Sequence, residues 1–178
     1  GDVQWMTAGS GIVHQEMPKP LDGLMGGFQL WVNLPSSNKM MNPRYQEMKR
    51  ASIPEVQPAK GVNVRIVCGE LGGVLGPVRD IVVEPEYLDV RMSPHAVFDH
   101  PVERGHTLFT YILQGKGRFD LESGEVVDSE SLALFSDGDR VRVEALGFRG
   151  AAGVRRAGGD RSARARRSSL FLGRAARW

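Results

Sequence analysis

Apolar and polar residues alternate along most of the first 147 positions. In "FQLWVNLP", Phe28, Leu30, Val32 and Leu34 fall on one face and Gln29, Trp31 and Asn33 on the other, the period-two pattern of a half-buried strand. Further segments, "VNVRIVCGE", "DIVVEPEYLDVRM", "HTLFTYILQGKGRFDL" and "SLALFSDGDRVRVEAL", are rich in β-branched and aromatic residues and bounded by Gly, Pro and Asp. Within the last of them, Ser136-Asp137-Gly138-Asp139 predicts a turn between two apolar runs, and hence a hairpin. "GSGIVHQEMP", from Gly9 to Pro18, also reads as a strand. One segment, "PRYQEMKRA" from Pro43 to Ala51, predicts a short helix, with Pro early and strong helix formers after it. Pro54 and Pro58 then mark a linker. Many short strands with Gly-rich turns predict an all-β sandwich or barrel.

Charge divides the chain in two. The formal net charge is +2. Residues 148–178, however, hold nine Arg against the single acid Asp160, a balance of +8, which leaves −6 for residues 1–147. The basic tail, "FRGAAGVRRAGGDRSARARRSSLFLGRAARW", has neither strand alternation nor a helical apolar face, so its composition predicts disorder. It is also what a GC-rich coding segment yields when read in a shifted frame. If functional, it would bind nucleic acid through phosphates. Elsewhere composition is ordinary, with 41% hydrophobic and 25% charged residues. No apolar run reaches the roughly 18 residues a membrane helix needs. The opening Gly-Asp lacks the basic start and apolar stretch of a signal peptide. The lone Cys68 excludes an internal disulfide, fits a reducing cytoplasm and reads as a small buried hydrophobe.

Candidate chemistry begins with His14 and Glu16. Two positions apart on a strand, they project from one face, and imidazole with carboxylate suits iron, manganese, nickel, copper or zinc. Two ligands alone rarely hold a catalytic metal. His95, His100 and His106 lie five and six residues apart, a spacing that fixes no common face, and read as exposed loop residues rather than ligands. No nucleophile elbow, phosphate-cradling loop or dinucleotide glycine fingerprint is present.

"GDVQWMTAGSGIVHQEMP" resembles the signature stretch of the pirin family, a branch of the cupin superfamily. The resemblance continues through "GGFQLWVNLP", "MNPRYQE", "EYLDV" and "GHTLFTYILQGKG" to residue 147. It implies two consecutive cupin-type β-barrels with one metal, usually iron, in the first. On that pattern, residues 1–52 are the remainder of the N-terminal cupin, 53–60 a linker, 61–147 the C-terminal cupin and 148–178 the aberrant tail. The family's four ligands are a His-x-His pair on an earlier strand, then the histidine and glutamate matched by His14 and Glu16. The resemblance therefore implies a fragment whose first two ligands lie upstream of Gly1, and weak or no iron retention by the chain alone. In the second barrel Pro101 and Glu103 stand where a metal-binding cupin has histidines, which agrees with the family's metal-free C-terminal barrel.

Functionally, the resemblance implies a relative of the quercetin 2,3-dioxygenases, which open a flavonol ring with O2, and a chain that is inactive as this fragment. His14 would be a plain ligand and Glu16 a ligand, a general base toward the flavonol hydroxyl, or both. Gly9 and Gly11 would let the backbone pass close to the site. The family also contains non-enzymatic, metal-dependent regulators that bind transcription factors or metabolic enzymes, so that reading stands beside the enzymatic one. A cytoplasmic location is expected for either.

Overall fold

A computed structural model of the chain describes residues 1–17, 26–119, 122 and 124–146, and the backbone of 168–176. Among them are fourteen strands: β1 (Val3–Thr7), β2 (Arg44–Met48), β3 (Glu55–Ala59), β4 (Val62–Cys68), β5 (Glu70–Leu71), β6 (Val74–Leu75), β7 (Glu86–Met92), β8 (Val97–Pro101), β9 (His106–Gln114), β10 (Lys116–Arg118), β11 (Val126–Asp128), β12 (Ser131–Leu134), β13 (Arg140–Leu146) and β14 (Ser168–Ala176). The only helical elements among the described residues are single 3-10 turns at Ser36–Asn38 and Arg50–Ser52. The all-β expectation is borne out.

Two sheets build the main body. A six-stranded sheet runs β12-β9-β14-β7-β4-β3 and a four-stranded sheet runs β11-β10-β13-β8. Alternation explains how they meet. In β7, Glu86, Leu88, Val90 and Met92 are buried while Tyr87, Asp89 and Arg91 face the other way. In β13, Val141, Val143 and Ala145 are buried in the same manner. These residues join Val62, Val64 and Ile66 of β4, Leu108 of β9 and Phe98 of β8 in one core between the sheets. Each fully buried Val, Leu, Ile or Phe contributes about 1.5–3 kcal/mol, so closure of the barrel over this core dominates its stability.

A second core lies outside that barrel. Ile53, Val67, Cys68, Val78, Ile81 and Val83 form a cluster covered by Val3, Trp5, Val32, Met48 and Tyr87. The antiparallel β1–β2 ribbon thus lies against the main body, and the long connection between its strands carries residues 8–43. A bulge between Ile66 and Cys68 lets successive residues of β4 serve both cores.

The structure departs from the sequence reading at several places. Residues 44–48 form β2 rather than a helix, because pairing with Val3–Thr7 overrides the helix propensity of Gln, Glu and Met. Gln46 is buried there, its Nε2 donating to the Arg79 carbonyl at 3.1 Å and its Oε1 accepting from the Arg79 N–H at 3.3 Å. Residues 28–34 form no strand; Phe28, Leu30 and Trp31 are exposed, since alternation becomes a strand only where a partner ladder exists. Residues 9–17 likewise form no strand. The 136–139 turn does not close a hairpin: β12 pairs with β9 and β13 with β8 and β10, so the turn carries the chain from one sheet to the other. The 53–60 linker contains β3, an edge strand paired with β4.

The basic tail departs furthest. Its residues 168–176 form β14, paired with β7 on one side and β9 on the other, in the middle of the six-stranded sheet. The rest of the expected disordered or frame-shifted segment, 148–167 and 177–178, lies outside the described residues.

Candidate functional site

The loop leaving β1 is pinned before it reaches His14. Gly9 has φ +52°, and a Cβ there would stand 2.1 Å from the Met41 carbonyl oxygen. That close approach lets the Ser10 N–H donate to the same oxygen at 2.9 Å, while the Gly11 N–H donates to the Ala8 carbonyl at 2.9 Å. A side chain at position 9 would break this turn, so the first glycine of the quoted stretch is a structural requirement.

Beyond the turn, His14 and Glu16 are brought together although the strand expected to align them is absent. His14 Nε2 lies 3.7 Å from Glu16 Oε1, and their side chains are 46% and 41% exposed. Gln29 orients the carboxylate, its Nε2 donating to Glu16 Oε1 at 3.1 Å and to Oε2 at 2.9 Å. Its neighbour Phe28 rests on Tyr111 of β9, ring centroids 5.5 Å apart, which ties this arm of the site to the barrel. Sequence reasoning missed Gln29. It stood on the polar face of the "FQLW" alternation, but nothing in its spacing from Glu16 joined the two.

The remaining histidines divide. His95 is exposed, in a positive-φ turn, with Nδ1 3.8 Å from Glu144 Oε1. His106 is mostly buried, 3.7 Å from Glu103 Oε2. His100 corrects the expectation of an exposed loop residue. It sits in β8 with its ring inside the barrel, Nε2 2.5 Å from Glu86 Oε1 and stacked on Phe98 at 5.6 Å. Its Nδ1 and the Thr110 hydroxyl are buried without hydrogen-bond partners. Sequence gave no sign of this pair because fourteen residues and a change of sheet separate its members. Pro101 and Glu103, at the positions where a metal-binding cupin has histidines, are exposed.

Among the described residues no group of three or more His, Cys, Asp or Glu side chains converges on a point that could hold a metal ion. His14 and Glu16 fit as two donors of a larger set. Imidazole nitrogen and carboxylate oxygen lie side by side and half exposed.

Cys68 is buried as expected. Desolvation lifts its thiol from 9.0 to about 11, and the Glu86 carboxylate adds to the lift against a backbone hydrogen bond at Gly69. At pH 7.5 the folded chain is therefore expected to react with iodoacetamide roughly 100-fold more slowly than the urea-unfolded chain. The same shift makes the native thiol hold its proton where the unfolded one loses it. Stability is accordingly expected to fall as pH rises from about 9 toward about 11. Equal labelling rates for folded and unfolded chain would show an accessible thiolate instead.

Comparison with known proteins bears on both fold and site. The sequence model of the Pirin family matches residues 1–32, the segment that carries His14, Glu16 and Gln29. A pirin-like protein of Caulobacter vibrioides is 42% identical over 147 residues, covering 82% of this chain and 52% of the relative. Human pirin is 40% identical over 149 residues, covering 81% and 49%. A Pseudomonas aeruginosa protein provisionally named a quercetin 2,3-dioxygenase is 33% identical over 141 residues, covering 77% and 50%. The chain spans about half the length of these relatives. A crystal structure from Geobacillus kaustophilus superposes with a TM-score of 0.71 at 27% identity, covering 99% of this chain and 64% of that one. The quercetin 2,3-dioxygenase of Acinetobacter baumannii superposes with a TM-score of 0.74 at 24% identity, covering 99% and 56%, and supports the fold alone.

Proposed function

Because this chain belongs to the pirin family, we propose that its 1–52 segment is part of an iron-binding cupin barrel whose activity is oxidative opening of a flavonol ring with O2. The observation that carries the reading is the His14–Glu16 pair, 3.7 Å apart and braced by Gln29, within the segment matched by the family model. Relatives named for quercetin 2,3-dioxygenase activity support the substrate class. In this reading 61–147 is the second, metal-free barrel, 53–60 joins the two, and the protein works in the cytoplasm. Among the described residues no helix is long and apolar enough to cross a membrane.

Iron, when bound, would favour the ionised form of the flavonol hydroxyl and hold substrate and O2 side by side. His14 would contribute Nε2 as a neutral ligand. Glu16 would contribute Oε1 to the metal and take the hydroxyl proton on a carboxylate oxygen, a transfer worth on the order of 100-fold or more in rate. Gln29, by donating to both oxygens, keeps that carboxylate from rotating away between turnovers.

The test is O2 uptake, with quercetin present and absent, by the Fe(II)-supplemented chain extended upstream by the His-x-His segment that the family pattern places before Gly1. Flavonol-dependent uptake, abolished in His14→Ala and reduced about 100-fold in Glu16→Gln, is the expected result. Gln29→Ala is expected to weaken metal affinity about tenfold by freeing the carboxylate, read by competition with a chromogenic chelator. Bound iron without flavonol-dependent uptake would overturn the enzymatic reading in favour of a metal-dependent regulatory binder, which the exposed Val13, Met17 and Trp31 beside the site would suit.

A further inference from the structure

We propose that one end of the barrel formed by the two large sheets holds a binding pocket for a small, uncharged phenol, with His106 accepting a hydrogen bond from its hydroxyl. This pocket shares no residue with the His14–Glu16 site and needs no metal.

A cavity of about 200 Å³ lies between the β8–β9 loop and the turn that joins β12 to β13. Hydrogen bonds lace these two segments together. The Val102 N–H donates to the Asp139 carbonyl at 2.9 Å, and the Phe135 N–H to the Leu108 carbonyl at 3.1 Å. The Gly105 N–H donates to Asp137 Oδ1 at 2.7 Å, and Arg104 Nη2 to Asp139 Oδ2 at 2.8 Å. The cavity is therefore built in advance, which spares much of the ordering cost of binding. Val102, Leu108 and Phe135 give it apolar walls, and Phe135 is itself braced by Phe119, ring centroids 5.6 Å apart. Drug-sized ligands need about 300–1,000 Å³, so this space suits a single ring with small substituents.

Charge narrows the class. The Asp137 and Asp139 carboxylates are engaged by the Gly105 N–H and Arg104, and the Arg140 guanidinium donates to Asp99 Oδ1 at 2.8 Å. Acid and base are matched within the protein, so neither an ammonium nor a carboxylate on a ligand finds an uncommitted partner among these four.

His106 supplies the polar contact. Its ring lines the cavity, while its Nδ1 lies 3.7 Å from Glu103 Oε2, buried and without a hydrogen-bond partner. Nε2 is thus the ring nitrogen that a ligand can reach. A carboxylate beside Nδ1 favours the tautomer with the proton there, which makes Nε2 an acceptor. Its complement is a hydroxyl donor on a flat apolar body, and a phenol is both, with a ring to set against Phe135. Donation to Nε2 polarises the imidazole and draws the Nδ1 proton toward Glu103. Ligand binding and the satisfaction of a buried nitrogen therefore go together.

The test is calorimetric titration of the full chain with phenol at pH 8, in EDTA so that iron at His14 and Glu16 cannot report instead. A dissociation constant on the order of 1 mM is expected, with toluene, benzoate and benzylamine each at least about tenfold weaker. Histidine 15N spectra should show His106 with its proton on Nδ1 and the Nε2 signal moved by phenol. His106→Phe keeps an aromatic ring and should lose about tenfold in affinity, and Glu103→Ala, at an exposed position, about threefold. Both should keep the circular dichroism spectrum of the parent. Toluene binding as tightly as phenol would overturn the role of His106, and benzylamine or benzoate doing so would overturn the uncharged class. Undiminished phenol binding by His106→Phe, or none by the folded parent chain at about 20 mM, would overturn the site itself.

Discussion

Replacing His100 by alanine is expected to cost about 3–5 kcal/mol of folding stability, the penalty for breaking a buried pair by removing one member. The imidazole and Glu86 come from opposite sheets of the barrel, β8 and β7, and meet at 2.5 Å in an interior otherwise lined by Phe98, Leu88, Leu108 and Val141. Removing the ring takes a short hydrogen bond from Glu86 in a buried site and also removes the face on which Phe98 stacks. Glu86→Leu should cost less, because the group left behind is an imidazole rather than a carboxyl group, and its stacking on Phe98 is kept. The double variant Glu86→Leu/His100→Phe should recover much of the loss, since apolar pairs of similar volume replace buried ion pairs without penalty. Urea unfolding of the four chains forms the cycle that separates the pair energy from simple burial. If His100→Ala unfolded within 1 kcal/mol of the parent chain, the pair would have to be solvated.

Leu172→Pro is expected to abolish cooperative folding. Position 172 lies in the middle of β14, where the backbone is opposite Leu88 of β7 and Thr110 of β9. Proline there removes a ladder N–H and costs about 3 kcal/mol or more even in regular structure. The consequence is larger in a central strand. Without β14, β9 and β12 lose their link to β7, β4 and β3, and the six-stranded sheet divides into two pieces, neither of which covers the core. Loss of the near-ultraviolet circular dichroism signal with exposure of apolar surface to a reporter dye is the expected outcome. A variant with an unchanged urea midpoint would instead mean that residues 168–176 are dispensable and that the tail's composition was the better guide.

The contrast between these two regions shows what was legible beforehand. Strands of the main body could be read directly where they are buried on one face and paired on both sides, as with Glu86–Met92 and Arg140–Leu146. "FQLWVNLP" carried an equally clear alternation and forms no strand, because periodicity encodes a face to be covered and not the presence of the partner that covers it. "SSLFLGRAA" failed in the opposite sense. Its Arg, Gly and Ala suggested disorder, yet two neighbours with open edges recruit it as a strand. At the site, His14 and Glu16 were found by residue type and spacing. The agent that aligns them was not a strand but a turn at Gly9 and the amide of Gln29, both fixed by contacts between residues far apart in sequence.

The place of β14 has a consequence for how the protein is made. Its neighbours β7 and β9 are translated long before it: Phe171 pairs with Tyr111 across 60 residues, and with Asp89 across 82. Until residues 168–176 emerge from the ribosome, both neighbours present open edges to solvent. The nascent chain must wait with a gap in its largest sheet, a state prone to pairing with other chains. Slow, late sheet completion should make yield in the cell depend on chaperone supply and on growth temperature more steeply than the finished fold's stability would suggest.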